Sequence, residues 1–475
     1  MIRFLHAYFP TRTVFLGISE AFLVSLAFIA AVFVRLGADD TTIILGYEHG
    51  PTKIVVVAVA FIACMYYFDL YDSSILSNRR EVFIRLVQAL GTVCILLTLI
   101  YYIYPPLEFG RGISLIGLLF VGLLVSLWRK LFSVVNSVPQ FADRALILGE
   151  GPLVDQIVRE CEARPELGLR VVGRILPVVS VSSGSSTLNY RLADSSNVHP
   201  ASDTGEEISL FVNSLRVNRI FIAMSERRGN LPVGPLLSLK CRGVNIQDGT
   251  DVYEAITGKV PIENVRSGWL LFSSGFPVSR YLMVYKRFAS TVMAIIGLLF
   301  SLPLIPFVAL AIRLTSSGPI LYRQRRVGRN GVVFYCYKFR TMRADAEADT
   351  GPTWAADDDP RVTTVGRFLR LSRLDEIPQL WNVLVGDMSL VGPRPERPEF
   401  VERLRRDIPF YDLRHTIPPG ITGWAQINYK YGASVEDAKE KLCYDLFYIK
   451  NMAPGLDLLI YFRTIKIILL GRGAR

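Results

Sequence analysis

Four apolar runs, near residues 14–34, 54–70, 83–104 and 113–128, set the terms for everything else in this 475-residue chain. A helix rises about 1.5 Å per residue, so roughly 20 apolar residues cross the hydrocarbon core of a bilayer. The first and third runs meet that length; the second and fourth are shorter, which leaves their ends open. Composition agrees with a membrane protein, since 51 % of the residues are hydrophobic. Charge then sets direction. Arg3 and Arg12 precede the first run, Arg79 and Arg80 separate the second from the third, and Arg129 and Lys130 follow the fourth. Asp39, Asp40, Glu48 and Glu108 occupy the opposite loops, with fewer cations. The positive-inside rule therefore assigns the N-terminus and everything after Lys130 to the cytoplasm. Glu20 and Arg85 lie inside or at the edge of runs and read as bundle-facing or snorkelling groups. The start of the chain lacks the short apolar region and small-residue cleavage site of a removable signal.

From about Asp143 to Thr257 the chain turns soluble and alternates strand with helix. Arg144–Gly149, Arg170–Ile175 and Arg219–Met224 read as strands and Leu153–Glu162 as a helix, which predicts an α/β domain over 142–262 with a parallel sheet. Ser180–Ser186 reads as an exposed loop. Gly149-Glu150-Gly151 at a strand-to-helix turn invites a dinucleotide-binding reading, but the signal is weak. Val154 stands where a third glycine belongs, Glu150 puts a carboxylate where a pyrophosphate would lie, and no acidic residue ends the second strand. A scaffolding or regulatory module is the better expectation. Six scattered cysteines without a Cys-x-x-Cys give no disulfide framework or zinc site, and four histidines without helical pairing argue against a His-ligated metal.

A second kind of apolar segment runs from Phe288 to Ile312. It could cross a bilayer, yet Arg313, Arg323, Arg325, Arg326 and Arg329 crowd its far end. Crossing would carry all of them outward, against the charge rule. Pro303 and Pro306 remove backbone donors and bend the helix, so the chain can dip in and return to the same face. A fifth crossing helix with a proline kink is the competing reading. Beyond it, Asn330-Gly331 between two alternating stretches signals a β-hairpin. Its strands set arginines, with Lys338 and Arg340, beside aromatic residues. Next to a membrane segment this suits lipid-headgroup or substrate phosphate, not nucleic acid. The net charge of +11 points the same way.

Asp375 and Glu376 stand side by side in Leu374-Asp375-Glu376-Ile377-Pro378-Gln379, among Arg370, Arg373 and Arg394. Alone, such a pair is usually a solvated helix start. Its setting suggests more. Attack on a phosphoanhydride needs its charge neutralised, which arginines and a divalent metal do. Two carboxylates can then divide the work, one attacking phosphorus while the other holds Mg²⁺. Neighbours in a helix point about 100° apart, so both reach one site only near a helix start or turn. Pro378 is compatible with that placement.

These residues carry a resemblance. Tyr337-Lys338-Phe339-Arg340-Thr341-Met342, Leu374–Gln379, Gly386–Pro395 and Pro419–Asn428 resemble the polyprenyl-phosphate glycosyl-1-phosphate transferase superfamily, the monotopic bacterial sugar transferases. The match covers residues 280–475, and the apolar runs with a degenerate α/β domain resemble the large subclass. Tyr431–Ala438 and Gly471–Arg475 resemble its exopolysaccharide-associated branch.

The resemblance implies an α/β membrane protein in three parts. These are a four-helix transmembrane bundle over 1–135, a Rossmann-like domain over 142–262, and a mainly α monotopic catalytic domain over 280–475. The last would carry a re-entrant membrane helix over 288–312, broken at Ser301, Pro303 and Pro306. Asp375 would attack the sugar-linked phosphate of a UDP-sugar, releasing UMP, and Glu376 would help Asp375 bind Mg²⁺. Arg370 and Arg394 occupy phosphate-contacting positions; Lys338, Arg340, Gln379, Asp387 and Lys430 complete the expected substrate-binding set. Undecaprenyl phosphate would then take the phosphosugar and regenerate Asp375, as the first membrane step of exopolysaccharide assembly. The expected setting is the cytoplasmic face of a bacterial inner membrane, with the bilayer as a partner, no nucleic acid and a homodimer.

Two departures stand out. Asn428-Tyr429-Lys430-Tyr431 replaces the family's frequent Asn-Gly-Arg-Asn, so Lys430 keeps charge but loses bidentate geometry. Ser301-Leu302-Pro303 replaces its common Ser-Pro break. Among lesser residues, Trp424 is either a packing anchor or a sugar platform, and His415 is either structural or an acid–base group. At Asp387 capping competes with a site role. Leu442–Leu470 reads as amphipathic and lying on the membrane. The alternatives to a transferase are a membrane-tethered sugar-nucleotide-modifying enzyme, which would need an intact dinucleotide fingerprint, and a non-catalytic assembly scaffold.

Overall fold

The apolar runs fold as helices that are hydrophobic on every side, as segments facing lipid must be. The computed structural model describes residues 2–4, 7–47, 49–72, 75, 79–137, 142–182, 185–192, 206–224, 227, 231–264, 275–276, 279–343, 345–346, 359–429, 432 and 434–470. After a short strand pair, β1 (Ile2–Phe4) and β2 (Ala7–Phe9), come α1 (Thr11–Leu36), α2 (Ala38–Gly46), α3 (Gly50–Tyr67), α4 (Arg79–Ile103) and α5 (Arg111–Ser137). Of these, α1, α3, α4 and α5 are long and apolar enough to cross a membrane. Along α1, Leu16, Glu20, Val24, Ala27, Phe28 and Ala31 are buried at three- and four-residue spacing. Val24, Ala27, Phe28 and Ala31 share a core with Phe61 and Met65 of α3, Ala89 and Val93 of α4, and Val121 and Val125 of α5. On α1 the outward residues Phe15, Ile18, Phe22 and Phe33 are also large and apolar. The chain is a membrane protein.

Glu20 does not snorkel. Arg129 of α5 grips it through Nε to Oε1 at 2.6 Å and Nη2 to Oε2 at 3.0 Å, and donates its third nitrogen to the Leu70 carbonyl at 2.8 Å. The Tyr71 hydroxyl donates to Glu20 Oε2 at 2.7 Å. Arg85 is likewise paired, with Asp69 and Glu81, both at 2.9 Å.

The soluble part that follows holds β3 (Asp143–Leu148), α6 (Pro152–Ala163), β4 (Leu169–Ser182), β5 (Ser185–Leu192), α7 (Glu206–Ser214), β6 (Arg219–Ile222), α8 (Val233–Cys241), β7 (Asn245–Asp248) and α9 (Gly249–Thr257). Its sheet runs β5-β4-β3-β6-β7, with β4, β3, β6 and β7 parallel and β5 antiparallel at the edge. The expected Ser180–Ser186 loop is instead largely strand, because β4 runs on to Ser182 and pairs antiparallel with β5. At the crevice where strand order reverses, a Cβ on Gly149 would lie 2.6 Å from the Ala223 carbonyl. Gly149 thus serves close backbone packing between strand ends, and Val154 belongs to the core.

The chain divides into two compact units inside α9, after Val252. In the second unit, Lys450 pairs with Glu254 at 2.9 Å and Val260 donates its N–H to the Cys443 carbonyl, so the segment after Val252 packs as part of that unit. Its elements are α10 (Arg280–Ser301), α11 (Ile305–Thr315), β8 (Leu321–Val327), β9 (Val333–Phe339), α12 (Thr364–Leu371), α13 (Gln379–Val385), β10 (Ser389–Val391), α14 (Pro398–Asp407), β11 (Gly420–Thr422), α15 (Trp424–Asn428), α16 (Val435–Lys450) and α17 (Pro454–Leu469).

The long apolar segment is interrupted between Ser301 and Ile305, where Pro303 stands, and Pro306 lies in the first turn of α11. The Ser301 hydroxyl donates back to the Gly297 and Leu298 carbonyls at 2.8 and 3.1 Å, an arrangement that bends helices. β8 and β9 form the expected hairpin, with Asn330 and Gly331 at φ of 55° and 79°. The reading of Leu442–Leu470 as one stretch on the membrane is corrected. Leu442–Lys450 is buried through the end of α16, and only α17 shows large apolar residues, such as Leu458, Ile465 and Leu469, on its surface.

Glu20→Ala should strip Arg129 of its buried counter-charge. A loss of about 3–5 kcal/mol is expected for such a pair, read as a fall in Tm of the detergent-solubilised protein. An unchanged Tm would contradict the structural role of the pair.

Candidate active site

Asp375 and Glu376 sit in a single 3-10 turn, Leu374–Glu376, directly before α13. The sequence expectation of a helix start or turn is met. Despite their charge they are only 7 % and 9 % exposed. A buried carboxylate needs partners, and Glu376 has two: Lys338 Nζ at 2.8 Å and Arg394 Nη2 at 2.6 Å, both on Oε1. Lys338 Nζ also lies 3.9 Å from Asp375 Oδ2.

The two carboxyls respond in opposite directions. Burial would raise Glu376, but Arg394, Lys338 and Arg373 outweigh it and hold the group well below the ordinary carboxylate range. For Asp375 burial wins. Its pKa is raised, with the Glu376 charge adding to the rise and Lys338, Arg394 and Arg370 opposing it. The pair therefore has one member held ionised by its cations and one whose charged form burial disfavours.

Backbone geometry enforces this placement. Arg373 adopts φ 58°, ψ 15°, a left-handed conformation that costs a non-glycine residue about 1–3 kcal/mol. It ends α12 and turns the chain so that Asp375 faces back toward β9. Leu374 and Ile377, on either side of the pair, pack against Val308 and Ile312 of α11 and against Phe339 and Leu369. The carboxylate turn thus rests on α11, the second helix of the interrupted apolar segment.

The flanking motifs converge through the backbone. β10 and β11 run parallel, pairing Ser389 with Gly420 and Val391 with Thr422. A Cβ on Gly420 would sit 2.1 Å from the Gly392 nitrogen, so the two glycine motifs touch main chain to main chain. The loop that follows, with Arg394, is pinned by the Gly420 N–H on the Pro393 carbonyl and by Arg414 on the Arg394 carbonyl, both at 2.9 Å. Arg414 is itself held by Tyr411 at 2.6 Å and by the buried Asp445 at 2.9 Å. Burial pushes the Asp445 carboxyl up to about 6.

Of the other expected residues, Arg370 donates Nε to the Thr341 hydroxyl at 2.9 Å and acts on Asp375. Arg340 is anchored through Nη2 to Ser316, and Gln379 is buried at the start of α13. Asp387 stands behind the site, accepting from Asn382 at 3.2 Å. Lys430 lies outside the described residues. Trp424 is an anchor: its indole donates to the Gly258 carbonyl at 2.9 Å and stacks on Phe447. Burial lowers the His415 pKa to about 4, so at neutral pH it is an uncharged ring against Tyr411, 3.2 Å from Asp412.

Sequence reasoning missed Asn382, whose side chain bonds the Tyr337 N–H and the Tyr335 carbonyl and so clamps α13 to β9. A lone asparagine on the apolar face of Gln379–Val385 was the available signal, since buried amides must be satisfied. Arg414 and Asp445 lie far apart in sequence and left no such mark.

Among the described residues no three His, Cys, Asp or Glu side chains gather to hold a metal. The adjacent carboxylates nevertheless suit a hard divalent cation, which commonly takes one or two carboxylates and completes its shell with water and substrate phosphates.

Residues 281–471 match the family model described as bacterial sugar transferase. The chain is 44 % identical over 224 residues to the UDP-N-acetylgalactosamine-undecaprenyl-phosphate N-acetylgalactosaminephosphotransferase of Aeromonas hydrophila, covering 47 % of this chain and 52 % of that one. It is 30 % identical over 365 residues to the UDP-glucose:undecaprenyl-phosphate glucose-1-phosphate transferase of Xanthomonas campestris pv. campestris, covering 74 % and 72 %. The Escherichia coli K12 protein with the same description is 43 % identical over 191 residues, 40 % of this chain and 41 % of that one. The chain thus spans about half the length of the Aeromonas protein and nearly three quarters of the Xanthomonas one.

Asp375→Asn should stabilise the fold. Because its folded pKa is raised, Asp375 favours the fold when protonated, and that contribution is lost as pH rises through the raised value. The variant's Tm should match wild type below the unfolded carboxylate pKa of about 3.9 and exceed it at neutral pH. A variant less stable than wild type at neutral pH would contradict this.

Proposed function

Since the chain belongs to the bacterial sugar transferase family, we propose that it moves a sugar-1-phosphate from a UDP-sugar to undecaprenyl phosphate by double displacement on Asp375. The observation that carries the reading is the buried, costly carboxylate of Asp375 beside a Glu376 locked between Lys338 and Arg394. An Asp375 oxygen attacks the sugar-bearing phosphorus. The bond from that phosphorus to the oxygen bridging to UMP breaks, and UMP leaves with the electron pair. An oxygen of the lipid phosphate then attacks the same phosphorus and expels the Asp375 carboxylate, which gives the lipid diphosphosugar. Lys338, Arg370, Arg373 and Arg394 supply the positive field that lets an anion attack an anion. Asp375 and Glu376 would hold Mg²⁺, which when bound offsets diphosphate charge.

The relatives' names support the donor and acceptor classes, and the glucose and N-acetylgalactosamine in those names leave the sugar to experiment. The loop charges support four crossing helices in an inner membrane, with the catalytic unit on the cytoplasmic face. The proline break between α10 and α11 supports a re-entrant hairpin. Exopolysaccharide initiation and a homodimer complete the proposal. Gly149 packed on Ala223 argues against the sugar-nucleotide-modifying alternative, which needs an open dinucleotide crevice.

Full-length protein with Mg²⁺ and a panel of UDP-sugars should release UMP when undecaprenyl phosphate is supplied, and EDTA should suppress the release. Asp375→Asn should abolish it; unchanged release would remove Asp375 from the chemistry. Cysteines placed at both ends of Phe288–Ile312 should label from one face, and labelling from opposite faces would reject the hairpin.

A further inference from the structure

A buried guanidinium with donors left unpaired among the described residues carries a desolvation cost that those residues do not offset. Arg340 is such a group. It is 6 % exposed, and its Nη2 donates to the Ser316 carbonyl and hydroxyl at 2.9 and 2.8 Å. Its Nε and Nη1 have no hydrogen-bond partner among the described residues. An arginine cannot shed its proton to escape the cost. Gln379, 3 % exposed, has an amide nitrogen in the same position. Neither residue is spent on Glu376, which Lys338 and Arg394 already satisfy.

Each orphaned donor belongs to an element next to the carboxylate turn. Arg340 follows the strand directly, two residues after Lys338. Gln379 is three residues before Asn382, hence on the helix face that clamps β9 through Tyr337 and Tyr335. The anchor of Arg340 is also informative. Ser316 caps the C-terminus of α11, the second helix of the apolar hairpin. Val308 and Ile312 of that helix pack on Phe339, next to Arg340, and on Leu374 and Ile377 beside the carboxylates. Unsatisfied cationic and amide donors thus stand where the apolar hairpin meets the reacting turn.

We infer that Arg340 and Gln379 bind the phosphate of the lipid acceptor, a monophosphate on a hydrocarbon tail. The inference rests on the double-displacement reading and divides its labour: Lys338, Arg370 and Arg394 serve the nucleotide donor, Arg340 and Gln379 the acceptor. A soluble nucleotide gains nothing from α11, whereas a lipid phosphate can lay its tail along the hairpin and its head on Arg340. The planar guanidinium, held at one nitrogen by Ser316, keeps its other donors for phosphate oxygens.

The test separates the two half-reactions in full-length protein reconstituted in nanodiscs. Exchange of labelled UMP into UDP-sugar without acceptor reads donor chemistry alone; steady-state turnover against undecaprenyl phosphate gives the acceptor KM. Arg340→Gln should raise that KM about tenfold or more, as loss of a charge-assisted phosphate contact does. Gln379→Leu should raise it less, and Arg340→Lys should recover part of the loss. UMP exchange by Arg340→Gln should stay within roughly twofold of wild type, as expected for a contact made only to the acceptor. Inorganic phosphate and farnesyl phosphate separate head from tail: farnesyl phosphate should compete with the acceptor far better, and less so in Arg340→Gln. Exchange that falls in parallel with turnover would assign Arg340 to the donor or to the fold, and an unchanged acceptor KM would remove it from the acceptor site. Either result overturns the inference. Wild-type protein that shows no exchange would sink the double-displacement reading, while the acceptor KM of Arg340→Gln would still decide this one.

Discussion

Everything at the candidate site depends on one buried carboxylate, Glu376, caught between Lys338 and Arg394. Each cation arrives on a different motif, one at the end of β9 and the other after β10. A carboxylate taken out of water is tolerable only with such partners. Its neighbour Asp375 shares the burial, with the Lys338 ammonium 3.9 Å from its carboxylate. The contrast between two adjacent acids, one anchored and one exposed to electrostatic strain, is how a protein assigns them separate roles.

The supporting structure works to hold that contrast. Asn382 fixes α13 to β9, Arg414 fixes the loop of Arg394, and the left-handed Arg373 aims the carboxylate turn. From the apolar segment, Arg287 of α10 donates to the Val383 and Leu384 carbonyls, and Ser290 bonds Ser389 at 2.9 Å. Lys286 is buried against Tyr448 and Asp457. The apolar helix is therefore fastened to the same elements that bear Asp375 and Arg394.

Much of this was legible in the sequence, and the reasons are local. Apolar runs with charged ends announced the long helices, Asn330-Gly331 announced its hairpin, and Pro303 with Pro306 announced a broken helix. Val, Ile and Leu runs between turn residues announced β3, β4 and β6. The carboxylate pair was found because its residues are adjacent. What escaped depends on distance along the chain. That Glu20 meets Arg129, Lys286 meets Asp457 and Arg414 meets Asp445 follows from packing that no short window contains. Leu442–Lys450 was misread as a membrane-surface stretch because an amphipathic pattern does not say whether lipid or protein covers its apolar face. The protein's own core covers it.

The central claim is that Asp375 becomes covalently bonded to the phosphosugar. Protein incubated with Mg²⁺ and its UDP-sugar, without lipid phosphate, then digested under mild acid and mapped by mass spectrometry, tests this directly. The peptide containing Leu374–Gln379 should gain the mass of the donor's sugar phosphate on Asp375 and lose it when undecaprenyl phosphate is added. An active preparation whose adduct sits on another residue would contradict the account.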